Sequence, residues 1–347
     1  MGTWDSVRRE VEELTKSGNK AAVDLVRREK ITQVEKLTGR PLVIYASDFT
    51  DDDKAARVGA GLAIDLDDKT GFKQALFDIP PGPLDILLHS PGGSPTATES
   101  LVYLVRSSYG PVRFIVPHTI KSAATMFALS GDEIVVSEEA EFGPIDPQLR
   151  FPHEGRVANV PAQAAIDQFD RAYGEIKQDT QKLTVWLPML RQFGPSFLEE
   201  CHKAIDLSKQ LVIEWLTSYM FAGFEDAQSK AERVANWLGD HNNFKSHSRR
   251  VSPEQLLRVE PGLKIRFLKD VDKTLKLQSA IMDLYWAIDV TFDITRAFKI
   301  IEHKEGSAYI RLQFEQVVQL GPTQSPPSGG APPLNRADRR RLKKGRR

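Results

Sequence analysis

Leu87-Leu88-His89-Ser90-Pro91-Gly92-Gly93-Ser94 is the stretch on which the reading of this chain turns. An apolar run ends on two adjacent glycines, so the backbone can bend sharply there and present bare N–H groups. Downstream, Lys121-Ser122-Ala123-Ala124-Thr125-Met126 places a serine among small residues at the head of a helical pattern. Read together, the two segments predict an oxyanion hole and a nucleophile facing one crevice.

Outward from these segments the pattern alternates strand, turn and helix. Strands are predicted over 41–46, 85–88, 112–116 and 132–136, and helices over 96–109 and 123–129. Such alternation argues for crossover units and a mainly parallel sheet, an α/β fold. Ligands of such sheets gather beyond the carboxyl ends of the strands, where both glycine-serine segments fall. Residues 1–40 read as an amphipathic helical segment with Val7, Val11, Leu14, Val23, Leu25 and Val26 as buried candidates, and 41–220 as the enzymatic core. Long helices are predicted over 162–183, 197–219 and 270–292, and an α-rich extension over 221–320.

A serine hydroxyl becomes a useful nucleophile when a base takes its proton and donors receive the charge developing on the attacked carbonyl oxygen. Ser122 sits where a strand-to-helix turn can expose it, Ala123 would offer an N–H, and Gly92 or Gly93 a second from across the crevice. Each segment alone has a plainer reading: serine before alanines is commonly a helix cap, and Ser-Pro-Gly-Gly a common turn.

Their combination carries a resemblance. Ser90-Pro91-Gly92-Gly93, Val116-Pro117, Ser122-Ala123-Ala124-Thr125, Gly131-Asp132-Glu133-Ile134 and Gly143-Pro144-Ile145-Asp146-Pro147-Gln148 resemble the serine dehydrogenase proteinase family. That family looks like a branch of the Clp protease and crotonase superfamily related to signal peptide peptidase A. The likeness is specific over 85–148 and looser beyond, through Leu187-Pro188-Met189-Leu190-Arg191-Gln192 and His247-Ser248-Arg249. It implies a Clp protease/crotonase-like spiral of ββα units with a helical C-terminal extension, and a serine peptidase that needs neither ATP nor metal. Carried over by position, Ser122 matches the nucleophile, and Gly92, Gly93 and Ala123 the oxyanion hole. A homo-oligomer and a peptide or unfolded-protein substrate follow by the same resemblance.

The base departs from the Clp pattern, because Gly143-Pro144-Ile145-Asp146-Pro147 holds no imidazole where the Clp subunit has one. Signal peptide peptidases use a lysine instead, which must be desolvated so that its pKa of about 10.4 falls toward neutrality. Lys177 occupies roughly the corresponding region, with Lys182 one turn further on as competitor. Asp146 is either a structural cap or a group that orients a base or polarises a substrate amide. His118, His153, His241 and His247 are imidazoles that loops could bring inward, with surface or structural duty as their plainer role.

Composition narrows the remaining classes. One cysteine, Cys201, excludes an internal disulfide framework and a multi-cysteine metal site, and it suits a reducing compartment, with the cytoplasm as the expectation. No signal-peptide pattern opens the chain, and no apolar run approaches the roughly 18–20 residues needed for a transmembrane segment. No cofactor is expected: Gly59-Ala60-Gly61 lacks a third glycine and a preceding strand, Asp51-Asp52-Asp53 lacks the spacing of a calcium loop, and the histidines form no zinc motif. Charge is balanced at 47 basic against 47 acidic residues, yet the end of the chain is strongly basic, from Arg336 to Arg347. Residues 321–347 therefore read as a disordered Pro/Gly linker and a basic tail, open to acidic partners or nucleic acid. Two other functions share the fold: a catalytically degenerate scaffold, and crotonase-type acyl-CoA chemistry, for which no nucleotide site is legible.

Overall fold

The computed structural model describes residues 2–153, 156–305 and 308–313, with backbone alone for 152, 153, 156 and 157. The linker and basic tail expected over 321–347 lie outside the described residues, as does the side chain of His153.

Seven strands form the main sheet: β1 (Leu42–Ser47), β2 (Gly82–His89), β3 (Tyr109–Val116), β4 (Glu133–Val136), β7 (Ile265–Phe267), β8 (Ala297–Glu302) and β9 (Ala308–Leu312), while β5 (Gln148–His153) and β6 (Arg156–Pro161) make a separate hairpin. Their order is β7-β4-β3-β2-β1-β8-β9. The first five in this order are parallel, β8 adds antiparallel to β1, and β9 adds antiparallel to β8. The fold is a mixed α/β architecture with a mostly parallel sheet, as the alternation predicts.

Alternate residues of each central strand face opposite layers, because successive side chains of a strand point to opposite sides. On one side Val43, Tyr45, Ile86, Leu88, Phe114 and Val136 pack in a cluster that includes Phe72, Leu101, Phe127 and Trp215; on the other Leu42, Ile44, Leu87, Ile115 and Val135 meet Ile31, Val34, Ile281 and Ile288. Both faces are covered by helices, so the strands read as continuous apolar runs rather than alternating ones. The second strand of each expected ββα unit is reduced to single parallel bridges, Ile64 with Gly93, Ser90 with Ile120 and Thr119 with Glu141. These short steps lie just past the carboxyl ends of β2, β3 and β4.

The helical segment expected over 1–40 is two helices, Trp4–Lys16 and Ala22–Thr38. Residues 2–313 form one compact unit. The stretch 221–320, read as an α-rich extension, contributes β7, β8 and β9 to the main sheet as well as its helices. Those strands are short or lie at the sheet's margins, and their pairing partners are remote in sequence, so local pattern gives little sign of them.

Candidate active site

β3 ends at Val116, and the chain then threads between two neighbours before the next helix begins. The Ile120 N–H donates to Glu141 O at 2.8 Å and the Lys121 N–H to Ser90 O at 3.0 Å, which clamps the backbone just ahead of Ser122. Ser122 then adopts φ 51° and ψ −125°. Ser196, Lys245 and Leu275 also have positive φ, but with ψ near zero they sit in the ordinary left-handed well. Ser122 alone among the described non-glycine residues pairs positive φ with strongly negative ψ, a region in which a Cβ is strained.

This geometry separates Ser122 from a helix cap. Ser94 and Ser252 show what capping looks like: extended backbone, and a side chain accepting from the N–H three residues on, at Ala97 and Gln255. Ser122 makes no such bond, although it occupies the residue before the Ala123–Leu129 helix. That helix is buried at every position and rich in small residues, so it can press into the crevice while the half-buried Ser122 hydroxyl keeps no partner among the described residues. The side chain of Lys121 turns away to Glu141 Oε2 at 3.0 Å.

The double-glycine turn closes on this elbow. Gly92 has φ 86°, and a Cβ built on it would stand 2.4 Å from Lys121 O, 2.8 Å from Ala123 N and 2.8 Å from Ser122 Cβ. Gly93 has φ 155°, and its Cβ would stand 2.4 Å from Ile64 N and 2.5 Å from Ile64 O. Side chains at either position would force the two segments apart. From a third side Gly143 approaches, its added Cβ 3.1 Å from Ser122 N. The Gly92 N–H is committed to Ser90 Oγ at 3.3 Å. Neither the Gly93 nor the Ala123 N–H has an acceptor among the described residues.

Asp146 lies three residues beyond Gly143 and is 2% exposed. The Ile145 N–H donates to Leu238 O at 3.0 Å, and Phe142 and Val251 exchange backbone bonds at 2.8 and 2.9 Å, which draws residues 238–251 over the carboxylate. Its Oδ2 meets His241 Nδ1 at 2.8 Å and the Gln148 amide at 3.1 Å; its Oδ1 meets His247 Nδ1 at 2.8 Å. Both imidazoles therefore hold Asp146 through Nδ1, and the Nε2 of neither has a partner among the described residues. Sequence reasoning named these three residues separately but did not join them.

Lys177 is solvent-exposed. It lies near the far end of the 17-residue helix Ala162–Gln178, over the Tyr173 ring at 5.9 Å. The first residue of that helix donates to Pro147 O, and at 1.5 Å rise per residue Lys177 lies about 22 Å along the axis from that anchor. Lys182 pairs with Glu175 at 3.5 Å and is also exposed. The fold of this chain thus supplies neither lysine with the desolvation that a lysine base requires. His118 stacks on Tyr285 and engages Thr119 Oγ1 at 2.9 Å. Among the described residues no group of acidic, histidine or cysteine side chains could hold a metal, and no helix is long and apolar enough to cross a membrane.

Comparison with known proteins falls on this region. Residues 62–184 match the family model of the ClpP-like SDH-type serine proteinases. Two uncharacterized proteins of Methanocaldococcus jannaschii are similar: MJ0137 is 36% identical over 84 residues, covering 24% of this chain and 29% of its own, and MJ1495 is 28% identical over 98 residues, covering 28% and 31%. The chain therefore spans less than a third of the length of these relatives. Among solved structures, a mutant of the 1510-N membrane-bound stomatin-specific protease is similar with a TM-score of 0.35 and 15% identity, over 62% of this chain and 79% of that one. The segment 62–184, which is similar to the ClpP-like SDH-type serine proteinases, holds both the double-glycine turn and the strained serine.

Proposed function

We propose that this chain hydrolyses peptide bonds, with Ser122 as nucleophile and the N–H groups of Gly93 and Ala123 as the oxyanion hole. The observation that carries this reading is the backbone of Ser122: a strained turn with an uncapped hydroxyl, pressed against a turn that only glycine permits. Strain of this kind persists where the surrounding structure over-determines it, and it concentrates at functional sites.

In the proposed reaction, Ser122 Oγ adds to the carbonyl carbon while its proton passes to an imidazole Nε2. The oxyanion that forms is received by the two unpaired N–H groups. Collapse breaks the C–N bond, the imidazolium returns the proton to the departing amine, and water then releases the acyl group from Ser122 by the reverse sequence. For the base we favour His247 or His241 over Lys177. A carboxylate on Nδ1 leaves Nε2 as the proton acceptor and stabilises the imidazolium, the arrangement that Asp146 supports at 2.8 Å on each ring. Peptides or unfolded segments are the proposed substrates.

A serine-reactive fluorophosphonate probe tests the reading. Wild-type protein should be labelled at Ser122 and should cleave unstructured peptides, and Ser122→Ala should lose both. Asp146→Asn should lower turnover by about a thousandfold or more, in line with loss of a triad carboxylate, and Lys177→Met should leave it within about twofold. The opposite pattern for the last two would assign the base to the lysine, and hydrolysis unaffected by Ser122→Ala would end the proposal.

A further inference from the structure

Behind the double-glycine turn lies a set of buried polar groups that the peptide chemistry above does not use. At the turn the Gly92 N–H donates to Ser90 Oγ at 3.3 Å. Deeper in, the Tyr45 hydroxyl donates to Asp68 Oδ2 at 2.5 Å, and the Lys299 ammonium donates to both Asp68 oxygens at 2.9 and 3.0 Å. The Asp65 N–H also donates to Asp68 Oδ2 at 3.0 Å. Ser90, Tyr45, Asp68 and Lys299 are each 0% exposed.

Lys299 also reaches the other side of the turn. Its ammonium donates to Ala63 O at 2.7 Å. The next residue, Ile64, clasps the glycines: its N–H donates to Gly92 O at 2.7 Å, and its carbonyl accepts from the Ser94 N–H at 3.0 Å. Ser90 meanwhile accepts the Lys121 N–H on its carbonyl, so the same residue ties the turn to the elbow. One ammonium on β8 thus anchors the segment that clasps the Gly92-Gly93 peptide.

Fold stability alone is a weak reason for such an arrangement. Burying an ion pair is costly, and apolar residues of similar volume often serve as well or better. Burial draws the Lys299 ammonium below the usual lysine range against the attraction of Asp68, and it holds the Tyr45 phenol protonated well above its ordinary range. A fully satisfied network does secure orientation, since each member has few alternatives.

We propose that Tyr45, Asp68 and Lys299 are positioning residues that hold the Gly92-Gly93 turn so that the Gly93 N–H faces the oxyanion, an inference that rests on the serine-peptidase reading. With the Gly92 N–H tied back to Ser90, the Gly93 peptide is left to face the cleft. Small displacements of such donors are expensive in rate, because preorganised donors act only at the geometry of the developing charge. Tyr45 and Lys299 lie outside the segment matched by the family model, so the C-terminal strand takes part in shaping a site built by the central segment.

The test is Tyr45→Phe in the full chain, which removes one hydroxyl and keeps the ring. Its kcat for peptide cleavage should fall by about tenfold to a hundredfold with KM within about twofold, and amide exchange at Ile64 should quicken as Asp68 loses a fixed donor. Lys299→Met with Asp68→Asn, made together so that no lone charge is buried, should reproduce both effects. A Tyr45→Phe enzyme with unchanged kcat, or with unchanged Ile64 exchange, would overturn the proposal. If the wild-type protein is not labelled at Ser122, the peptidase reading falls by itself, and the Ile64 exchange rate still decides whether the buried network holds the turn.

Discussion

Replacing Ser122 by glycine should stabilise the protein relative to replacing it by alanine, even though either change removes the proposed nucleophile. At φ 51° and ψ −125° the Ser122 Cβ is strained, and a non-glycine residue in such a region costs about 1–3 kcal/mol. Alanine keeps that Cβ and loses only a hydroxyl that makes no hydrogen bond, so Ser122→Ala should match the wild type within about 0.5 kcal/mol. Glycine relieves the strain but adds about 0.5–1 kcal/mol of unfolded-chain entropy. The net gain of Ser122→Gly over Ser122→Ala should therefore be about 1 kcal/mol. A cap behaves otherwise: Ser94 accepts from the Ala97 N–H, and Ser94→Ala should cost about 1 kcal/mol. Equilibrium urea unfolding of the three variants beside the wild type measures the contrast. Should Ser122→Ala lose as much as Ser94→Ala, or Ser122→Gly fall below Ser122→Ala, then Ser122 is an ordinary cap and the strained-elbow reasoning is refuted.

Other outcomes follow from the same structure. Gly92→Ala should cut fluorophosphonate labelling at Ser122 by about a hundredfold or more, the scale of losing an oxyanion donor, because its Cβ would collide with Lys121 O at 2.4 Å; labelling within about twofold of wild type would contradict the packing. Gly174→Ala, on an open face of its helix with nothing within 4 Å of the added Cβ, should instead raise stability by about 1 kcal/mol on helix propensity, read from the denaturation midpoint. His89 sits in a ring cluster with Phe49, His118 and Tyr285, its Nδ1 without a partner, and burial pushes its imidazole from 6.5 down to about 3. The unfolded chain takes up this proton first as pH falls, so the associated stability is full above pH 6.5 and is lost between there and pH 3. At 1.36 kcal/mol per unit the loss between pH 8 and pH 5 is about 2 kcal/mol; His89→Leu should flatten that part of the urea-midpoint profile, and an unchanged slope would remove His89 as its source.

The central strands were legible because their cause is local. Pro41 to Ala46 and Asp85 to Leu88 are largely apolar runs; β1 falls within one residue of expectation, and β2 covers its predicted run but starts three residues earlier, at Gly82. The helix beginning at Ala123 starts where its small residues start. The predicted helix over 270–292 was less accurate, since the chain forms a short turn of helix at Leu268–Val271 and restarts at Lys276. Asp272 interrupts it: its carboxylate accepts from the Thr274 and Leu277 N–H groups, a side-chain alternative to helical pairing. On the site, the lysine expectation rested on a position in a helix, and position says nothing about whether an ammonium is buried or exposed.

By itself the amino-acid sequence determined the parallel α/β character, the glycine turn and the serine before a small-residue helix, because strand period, φ > 0 tolerance and helix onset are properties of a few neighbouring residues. Only the tertiary structure decided that Ser122 is no cap, that Asp146 carries two imidazoles from residues 241 and 247, and that Lys299 reaches Asp68 and Ala63 across the sheet. These pairings join groups far apart in the chain through the order in which strands assemble. Hydrogen bonds and desolvation act across space at about 3 Å, and spacing along the chain does not encode that distance.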